Sequence, residues 1–311
     1  MAGFLAPDAM VYKNIFDMVG KTPSVRVRVD HNPDQQFFIK LEGSNPSGSI
    51  KDRACVAMLQ AGLEDGMLTP GKTVLDASSG NFACALALYA RCLGYQCEVA
   101  VSSKLTAAKR DFLEYMGTRI NNVGDFTIEG NEFCRRLNES NPGKYFFVDQ
   151  LHNWKNPQAH CQATGPEIIS DCPDVAMVVG SLGSGGTMAG VGEYMKRAAP
   201  QVKVVVVESA AGNRIPGTGS FADGDYVTPF IRRAYEQNHF DCKVLISESE
   251  AARALKILIG QGIFGGLQTG GVLHAALDRA KAWNIKGPVV MLSGDTGWKN
   301  LDKLLMTSRA L

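Results

Sequence analysis

Apolar and polar positions along this chain fall into two kinds of block. Short β-rich apolar runs at 37–42, 74–75, 98–101, 145–148, 175–180, 202–207 and 288–292 have the length of strands. Between them, stretches rich in Ala, Leu and Met predict helices over 52–63, 82–93, 106–116, 157–169, 187–198, 248–260 and 271–283. Apolar strands separated by helices of roughly 10–15 residues predict an α/β fold of parallel sheets with helices on both faces. Gly94 and Gly117 stand where two of the helices should be capped. The one long irregular stretch, 210–227, is rich in Gly, Pro and Asp, and loops of that length are usually functional. In such folds the binding cleft lies beyond the carboxyl ends of the strands.

Composition narrows the class. The 311 residues have room for about two domains, and 45% hydrophobic with 20% charged residues is the balance of an ordinary globular protein. A net charge of +1 gives no reason to expect nucleic acid or a membrane surface as partner. No apolar run is long enough to span a bilayer, and Met1 to Asp8 lacks the basic and apolar segments of a secretory signal. Eight cysteines include no Cys-x-x-Cys pair, and five histidines include no His-x-x-x-His pair, so neither a disulfide framework nor a metal site is expected. Cys55, Cys84 and Cys92 read as small buried hydrophobes within helices. The expectation is a reduced, cytoplasmic protein.

Four segments carry candidate chemistry. Lys51, in Asn45-Pro-Ser-Gly-Ser-Ile-Lys-Asp-Arg53, stands between a strand with a Pro/Gly turn and a helix. It is either a Schiff-base lysine whose direction the turn sets, or a solvated surface lysine. Gly183-Ser-Gly-Gly-Thr187 joins a strand to a helix, so it is a phosphate cradle at a helix N-terminus or a flexible turn; the order strand, glycines, helix favours the cradle. Ser78-Ser79-Gly80-Asn81 offers hydroxyls, an amide and backbone N–H groups suited to a carboxylate, or caps a helix with no ligand. Ser293-Gly-Asp-Thr-Gly297 either caps the helix that follows it or presents a hydroxyl to the ring nitrogen of a cofactor.

Two decoys fall on context. Gly66-Met-Leu-Thr-Pro-Gly-Lys-Thr73 spells a Walker A motif, but a helix precedes it and a strand follows, the reverse of what a P-loop needs. Gly183 and Gly185, with Glu208 closing the next strand, suggest a dinucleotide site. Met188 occupies the third glycine position, where bulk obstructs the tight helix–strand approach.

Taken together, the segments resemble the fold-type-II pyridoxal phosphate enzymes, of tryptophan synthase β-like architecture, and within them the cysteine synthase and cystathionine β-synthase family. The resemblance runs from Val19-Gly-Lys-Thr-Pro23 to Asp295-Thr-Gly-Trp298. It takes in Asn45 to Arg53, Ser79-Gly-Asn81, Asn156 to Glu167, Gly183 to Thr187 and Gly262 to Gly270 in family order. Gly262-Ile-Phe-Gly-Gly266, Gly271-Val-Leu-His-Ala-Ala276 and Gly297-Trp-Lys299 resemble the O-phosphoserine sulfhydrylase branch most.

The resemblance implies two α/β domains, a smaller mobile one over 42–150 and a larger one made of 1–41 with 151–311. It implies pyridoxal 5'-phosphate as cofactor, with Lys51 as its Schiff-base lysine and Asn81 at the ring hydroxyl. Gly183, Ser184, Gly185, Gly186 and Thr187 would surround the phosphate, and Thr296 would meet the pyridine nitrogen. Ser78, Ser79 and Gln150 would receive the substrate carboxylate, with Gly80 and Phe82 in the same substrate loop. A neutral hydroxyl at the pyridine nitrogen suits elimination better than a deep carbanion sink. The implied reaction takes an O-activated serine (O-acetyl- or O-phosphoserine) through an aminoacrylate to cysteine or another β-substituted alanine. Lys51 would be the general base and a nucleophile the co-substrate, in a homodimer.

This chain also departs from the family. Phe82 stands where sulfhydrylases carry Thr, Gln268-Thr269 replaces a common Ser-Ser, and Pro216 in Arg214-Ile-Pro-Gly-Thr218 replaces a polar residue. Arg214 is either a partner for a phosphate or carboxylate or a surface arginine. The rival readings are a serine/threonine dehydratase-like lyase on the same fold and a non-catalytic binding homologue; a nucleotide-binding oxidoreductase is opposed by Met188.

Overall fold

A computed structural model describes residues 11–29 and 35–309. Residues 1–10 and 30–34, which belong to the expected larger domain, lie outside the described residues. The chain runs β1 (Ser24–Val27), β2 (Phe37–Leu41), α1 (Lys51–Glu64), β3 (Thr73–Ala77), α2 (Asn81–Cys92), β4 (Gln96–Val101), α3 (Ala107–Tyr115) and β5 (Arg119–Asn122). Next come α4 (Thr127–Ser140), β6 (Tyr145–Phe147), α5 (Lys155–Ala159), α6 (Gly165–Asp171), β7 (Met177–Ser181), α7 (Gly186–Ala198) and β8 (Lys203–Ser209). It ends with α8 (Pro229–Glu236), β9 (Cys242–Ile246), α9 (Glu248–Ile259), α10 (Leu267–Ala282), β10 (Val289–Ser293) and α11 (Leu301–Arg309).

The strands form two sheets. Six are ordered β1-β2-β10-β7-β8-β9, parallel except where β1 meets β2, and four are ordered β5-β4-β3-β6, all parallel. The valine run of β8 shows why these strands are apolar throughout. Val205 and Val207 pack with α9 and α10 on one face, and Val204 and Val206 pack with α7 and α8 on the other. A strand covered on both faces cannot alternate apolar with polar residues. In the smaller sheet Val74 and Val99 face α1 and α2, while Leu75 and Ala100 face Cys134 of α4.

The order of the strands positions the site. In the larger sheet the chain moves outward from β7 through β8 to β9, whereas β10 lies on the other side of β7. In the smaller sheet β3 leads outward to β4 and β5, with β6 on its other side. Each reversal leaves a crevice at the carboxyl ends of the strands, where α/β proteins bind their ligands. The loops after β3, β7 and β10 are Ser78–Asn81, Gly183–Thr187 and Gly294–Gly297, three of the segments singled out above.

Predicted strands and helices are present with shifted ends, with one exception. The helix expected over 157–169 is α5, then a five-residue π-helical turn His160–Thr164, then α6. Pro166 has no N–H to give its helix, and its ring crowds the carbonyl one turn back, which favours the wider turn. Cys55 and Cys84 are buried as expected, but Cys92 is exposed on the last turn of α2, and all eight thiols are free. Among the described residues no helix is long and apolar enough to cross a membrane.

Candidate active site

Lys51 opens α1, and the preceding turn ties it to the loop after β10. The Ile50 N–H donates to the Gly294 carbonyl at 2.9 Å, and Ser49 bridges Asp295. The two residues after Lys51 are buried and fully engaged. Asp52 accepts from the Ser47 N–H at 2.7 Å and from the Tyr89 hydroxyl at 2.6 Å. Arg53 forks onto Glu42, at 2.7 and 2.8 Å, and onto both oxygens of Glu167 at 2.7 Å. Lys40 joins them, 3.1 Å from Glu167 and 2.9 Å from Asp171. Burial alone would raise the Glu167 carboxyl, but the hydrogen bonds and charge of Arg53, with Lys40, hold it down at about 2. Glu42 follows β2 and Glu167 lies on α6, so this cluster clamps the first turn of α1 to the larger sheet.

Held there, the Lys51 Nζ lies 3.4 Å from Ser184 Oγ. Burial lowers the Lys51 ammonium to about 8, with the Asp295 carboxylate opposing part of that shift. A primary amine so poised is neutral in a minor but usable fraction near physiological pH, and that fraction is nucleophilic toward a carbonyl.

Gly183–Thr187 leads from β7 into α7. Gly185 has φ +84°, and a Cβ there would lie 2.2 Å from Ile231 Cγ1; at Gly186 a Cβ would lie 2.0 Å from Asn156 Oδ1. The loop can follow this path only without side chains at those positions. The first N–H groups of α7 lack partners within the helix, and its dipole favours an anion there. Behind the loop, Thr187 Oγ1 is 3.2 Å from His160 Nε2, and His160 Nδ1 is 2.9 Å from Thr164 Oγ1. Burial, then the charges of Arg53 and Lys51, push His160 well below its ordinary value, so its ring is neutral.

Across the cleft, Ser78–Asn81 leads from β3 into α2. The Ser78 Oγ accepts from the Gly80 N–H at 3.2 Å, and the Ser79 Oγ accepts from the Ser102 N–H at 2.6 Å. Asn81 donates from Nδ2 to Asp295 Oδ2 at 2.7 Å and leaves a buried Oδ1 with no partner.

These loops bound one cleft. Lys51, Asn81, Gly183, Gly185 and Thr187 line it, together with Ser181, Gly217, Gln268 and Gly294. Ser181 is the last residue of β7, and its buried hydroxyl also lacks a partner. Gly217 lies in Arg214–Thr218 and Gly294 in Ser293–Gly297, both singled out in the sequence; the signal for Gln268 was its replacement of a serine, and Ser181 left none.

Ser78, Ser79, Gly80, Ser184 and Gly186 lie in the loops beside the cleft without lining it, and Phe82, Gln150 and Thr296 are held elsewhere. Phe82 is 2% exposed and packs into the core of the smaller sheet with Leu86 and Tyr89, one apolar face of α2. Gln150 is turned to the strand end, its Nε2 donating to the Ala77 carbonyl at 2.7 Å and its N–H to Asp76 Oδ2 at 3.0 Å. Thr296 has extended backbone, so its side chain points opposite to that of Asp295. Asp295 faces the cleft residues Asn81 and Gln268, whereas a Cβ at Gly43 would lie 2.5 Å from Thr296 Cγ2. Arg214 is exposed.

A buried amine of lowered pKa, an anion loop built from backbone, and an amide with an unspent oxygen are the groups that pyridoxal phosphate requires for its aldehyde, phosphate and ring hydroxyl. Parallel sheets with this site at their carboxyl ends define a pyridoxal phosphate enzyme of fold type II.

The comparisons with known proteins agree. Residues 15–294 match the family model for "Pyridoxal-phosphate dependent enzyme", and the chain belongs to that family. It is 32% identical over 271 residues to cysteine synthase B of Pseudomonas aeruginosa, covering 86% of this chain and 88% of that one. Among solved structures it is similar to O-acetyl serine sulfhydrylase isoform 3 from Entamoeba histolytica, with TM-score 0.87, 26% identity and coverage of 98% and 94%. It is also similar to an O-ureido-L-serine synthase, with TM-score 0.85, 26% identity and 94% of both chains covered. The protein is a cysteine synthase-like enzyme whose cofactor is pyridoxal 5'-phosphate.

Proposed function

We propose that the protein catalyses β-replacement: it exchanges the leaving group on Cβ of O-acetyl- or O-phosphoserine for a nucleophile, giving cysteine or another β-substituted alanine. The observation that carries this reading is Lys51, a buried amine of pKa about 8 aimed at Ser184 of the phosphate loop. When bound, pyridoxal phosphate supplies an aldehyde for amines and an electron sink for charge released at Cα. Lys51 holds the cofactor through Nζ. With cofactor and substrate bound, the Lys51 Nζ would be the base that removes the Cα proton, work for which a pKa near neutrality is suited.

Gly183–Thr187 hold the phosphate through backbone N–H groups, and Asn81 meets the ring hydroxyl. Ser78, Ser79 and Gly80, at the N-terminus of α2, receive the substrate carboxylate; a Cβ at Gly80 would meet nothing within 4 Å, so the backbone there is open to a ligand. Gln150 joins them by turning from Ala77. Within the smaller domain of 42–150, the sheet that carries Ser78–Asn81 closes on the carboxylate, while the clamped first turn of α1 stays with the larger sheet. The functional unit is a homodimer.

Absorbance spectra of the purified protein, alone and with O-acetylserine, O-phosphoserine or serine, test the reading. A visible cofactor band that shifts with one donor and returns on adding sulfide or another nucleophile identifies both co-substrates. In Lys51→Ala that band and turnover should be lost while the thermal midpoint stays near that of wild type; full activity in this variant overturns the assignment.

A further inference from the structure

One polar edge of the cleft is left over after Lys51 and the phosphate loop. Asp295 follows β10 and is 1% exposed. Three side-chain amides converge on its carboxylate: Asn81 at 2.7 Å and Asn300 at 2.8 Å on Oδ2, and Gln268 Nε2 at 3.2 Å on Oδ1. Asn300 is turned away toward Lys109, whose Nζ is 3.2 Å from its Oδ1. Asn81 and Gln268 both lie on the cleft wall. A primary amide carries two N–H bonds, so each keeps one after Asp295 has taken the other. The Gln268 amide is closely confined: a Cβ would lie 2.8 Å from its Nε2 if added at Gly217 and 2.7 Å if added at Gly294.

In pyridoxal phosphate the ring hydroxyl and the ring nitrogen flank the methyl-bearing carbon, on the edge opposite the phosphate arm. Two amides hung from the two oxygens of one carboxylate match that edge. We propose that Asp295 is the positioning residue for the cofactor ring, aiming Asn81 at the hydroxyl and Gln268 at the nitrogen. Gln268 thereby takes the role expected of Thr296, and it donates a neutral N–H that leaves the nitrogen unprotonated. This inference rests on the cofactor placement given under Proposed function.

The test uses apo-protein of wild type, Lys51→Ala, Gln268→Leu, Asp295→Asn and the double variant of the last two, each titrated with pyridoxal phosphate. Cofactor affinity and the wavelength of the bound cofactor's visible band are both read. Asp295→Asn can satisfy only one of the two amides, so affinity should fall about tenfold and the band should move. Gln268→Leu keeps the shape, loses the donor and should move the band likewise. The double variant should go little beyond Asp295→Asn, because loss of the Asp295 carboxylate already misplaces Gln268. Wild-type affinity and band in both single variants, or effects that add in full, overturn the proposal. If Asp295→Asn does not fold, an unmoved band in Gln268→Leu overturns it alone. Wild-type protein that takes up no cofactor would refute the functional reading itself. A wild-type band lost only in Lys51→Ala would leave that reading standing and sink this inference.

Discussion

The two walls of the cleft are held in different ways. Behind Lys51, four buried or half-buried ionic side chains, Lys40, Glu42, Arg53 and Glu167, interlock through bonds of 2.7 to 3.1 Å and tie α1 to the larger sheet. Opposite, the smaller sheet meets the larger across the cleft through separate contacts. Among them are Asn81 with Asp295, Lys109 with Asn300 and the half-exposed Lys104 with Asp225. The difference teaches where rigidity is needed. A lysine that must reach both a cofactor carbon and a Cα proton tolerates little displacement. A loop that receives a carboxylate gains from being able to approach it.

Arg53→Met tests the fixed wall and should have the largest effect. It strands two carboxylates in a poorly solvated site, so the unfolding free energy in urea should fall by about 3–5 kcal/mol. The acid limb carries the same information. Glu167 is lowered from 4.5 to about 2, so its contribution is complete above pH 4.5 and is lost as pH falls toward 2. In the variant that acid dependence should flatten. An unchanged urea midpoint would mean that the cluster does not clamp α1.

The reactive group on that wall comes next. Only neutral Lys51 attacks an aldehyde, so the rate of cofactor capture by apo-protein should rise about tenfold per pH unit below its pKa of about 8 and level off above it. A rate still climbing toward the ordinary value of 10.5 would show a solvated lysine. The smallest effect belongs to the other wall. Lys104→Ala removes a half-exposed pair and should cost at most about 1 kcal/mol, measured in the same urea titration. A loss near that of Arg53→Met would erase the contrast between the walls.

Much of this was legible in the sequence because it is local. Strand, glycines and helix in order pointed to Gly183–Thr187, three of whose residues line the cleft, and context alone removed the Walker A decoy. The elements that escaped notice are those with little buried surface: edge strands β1 and β9 and the half-exposed β5, with helices α4, which buries only Gly130, Asn131 and Cys134, and α8, which buries only Phe230, Ile231 and Ala234. The wall residues that escaped notice are long-range. Gln268 and Asp295 meet across 27 residues, and Asn81 and Asp295 across 214. Thr296 and Phe82 were misread for one reason: a motif names neighbouring positions, but backbone geometry sends adjacent side chains in different directions. At 295–296 that decides which residue faces the cleft, and at 81–82 it sends the amide to the cleft and the ring to the core.

The neutral ring of His160 behind Thr187 has a consequence for the protein in solution. Among the described residues Lys51 is the one charged side chain on the cleft wall, so a phosphate there is gripped by dipoles at contact distance rather than drawn by charge through solvent. Such contacts are far shorter than the Debye length, about 8 Å at physiological ionic strength, and dissolved salt has no room to screen them. With the phosphate held as proposed, cofactor affinity should change little between low and physiological salt in a titration of apo-protein.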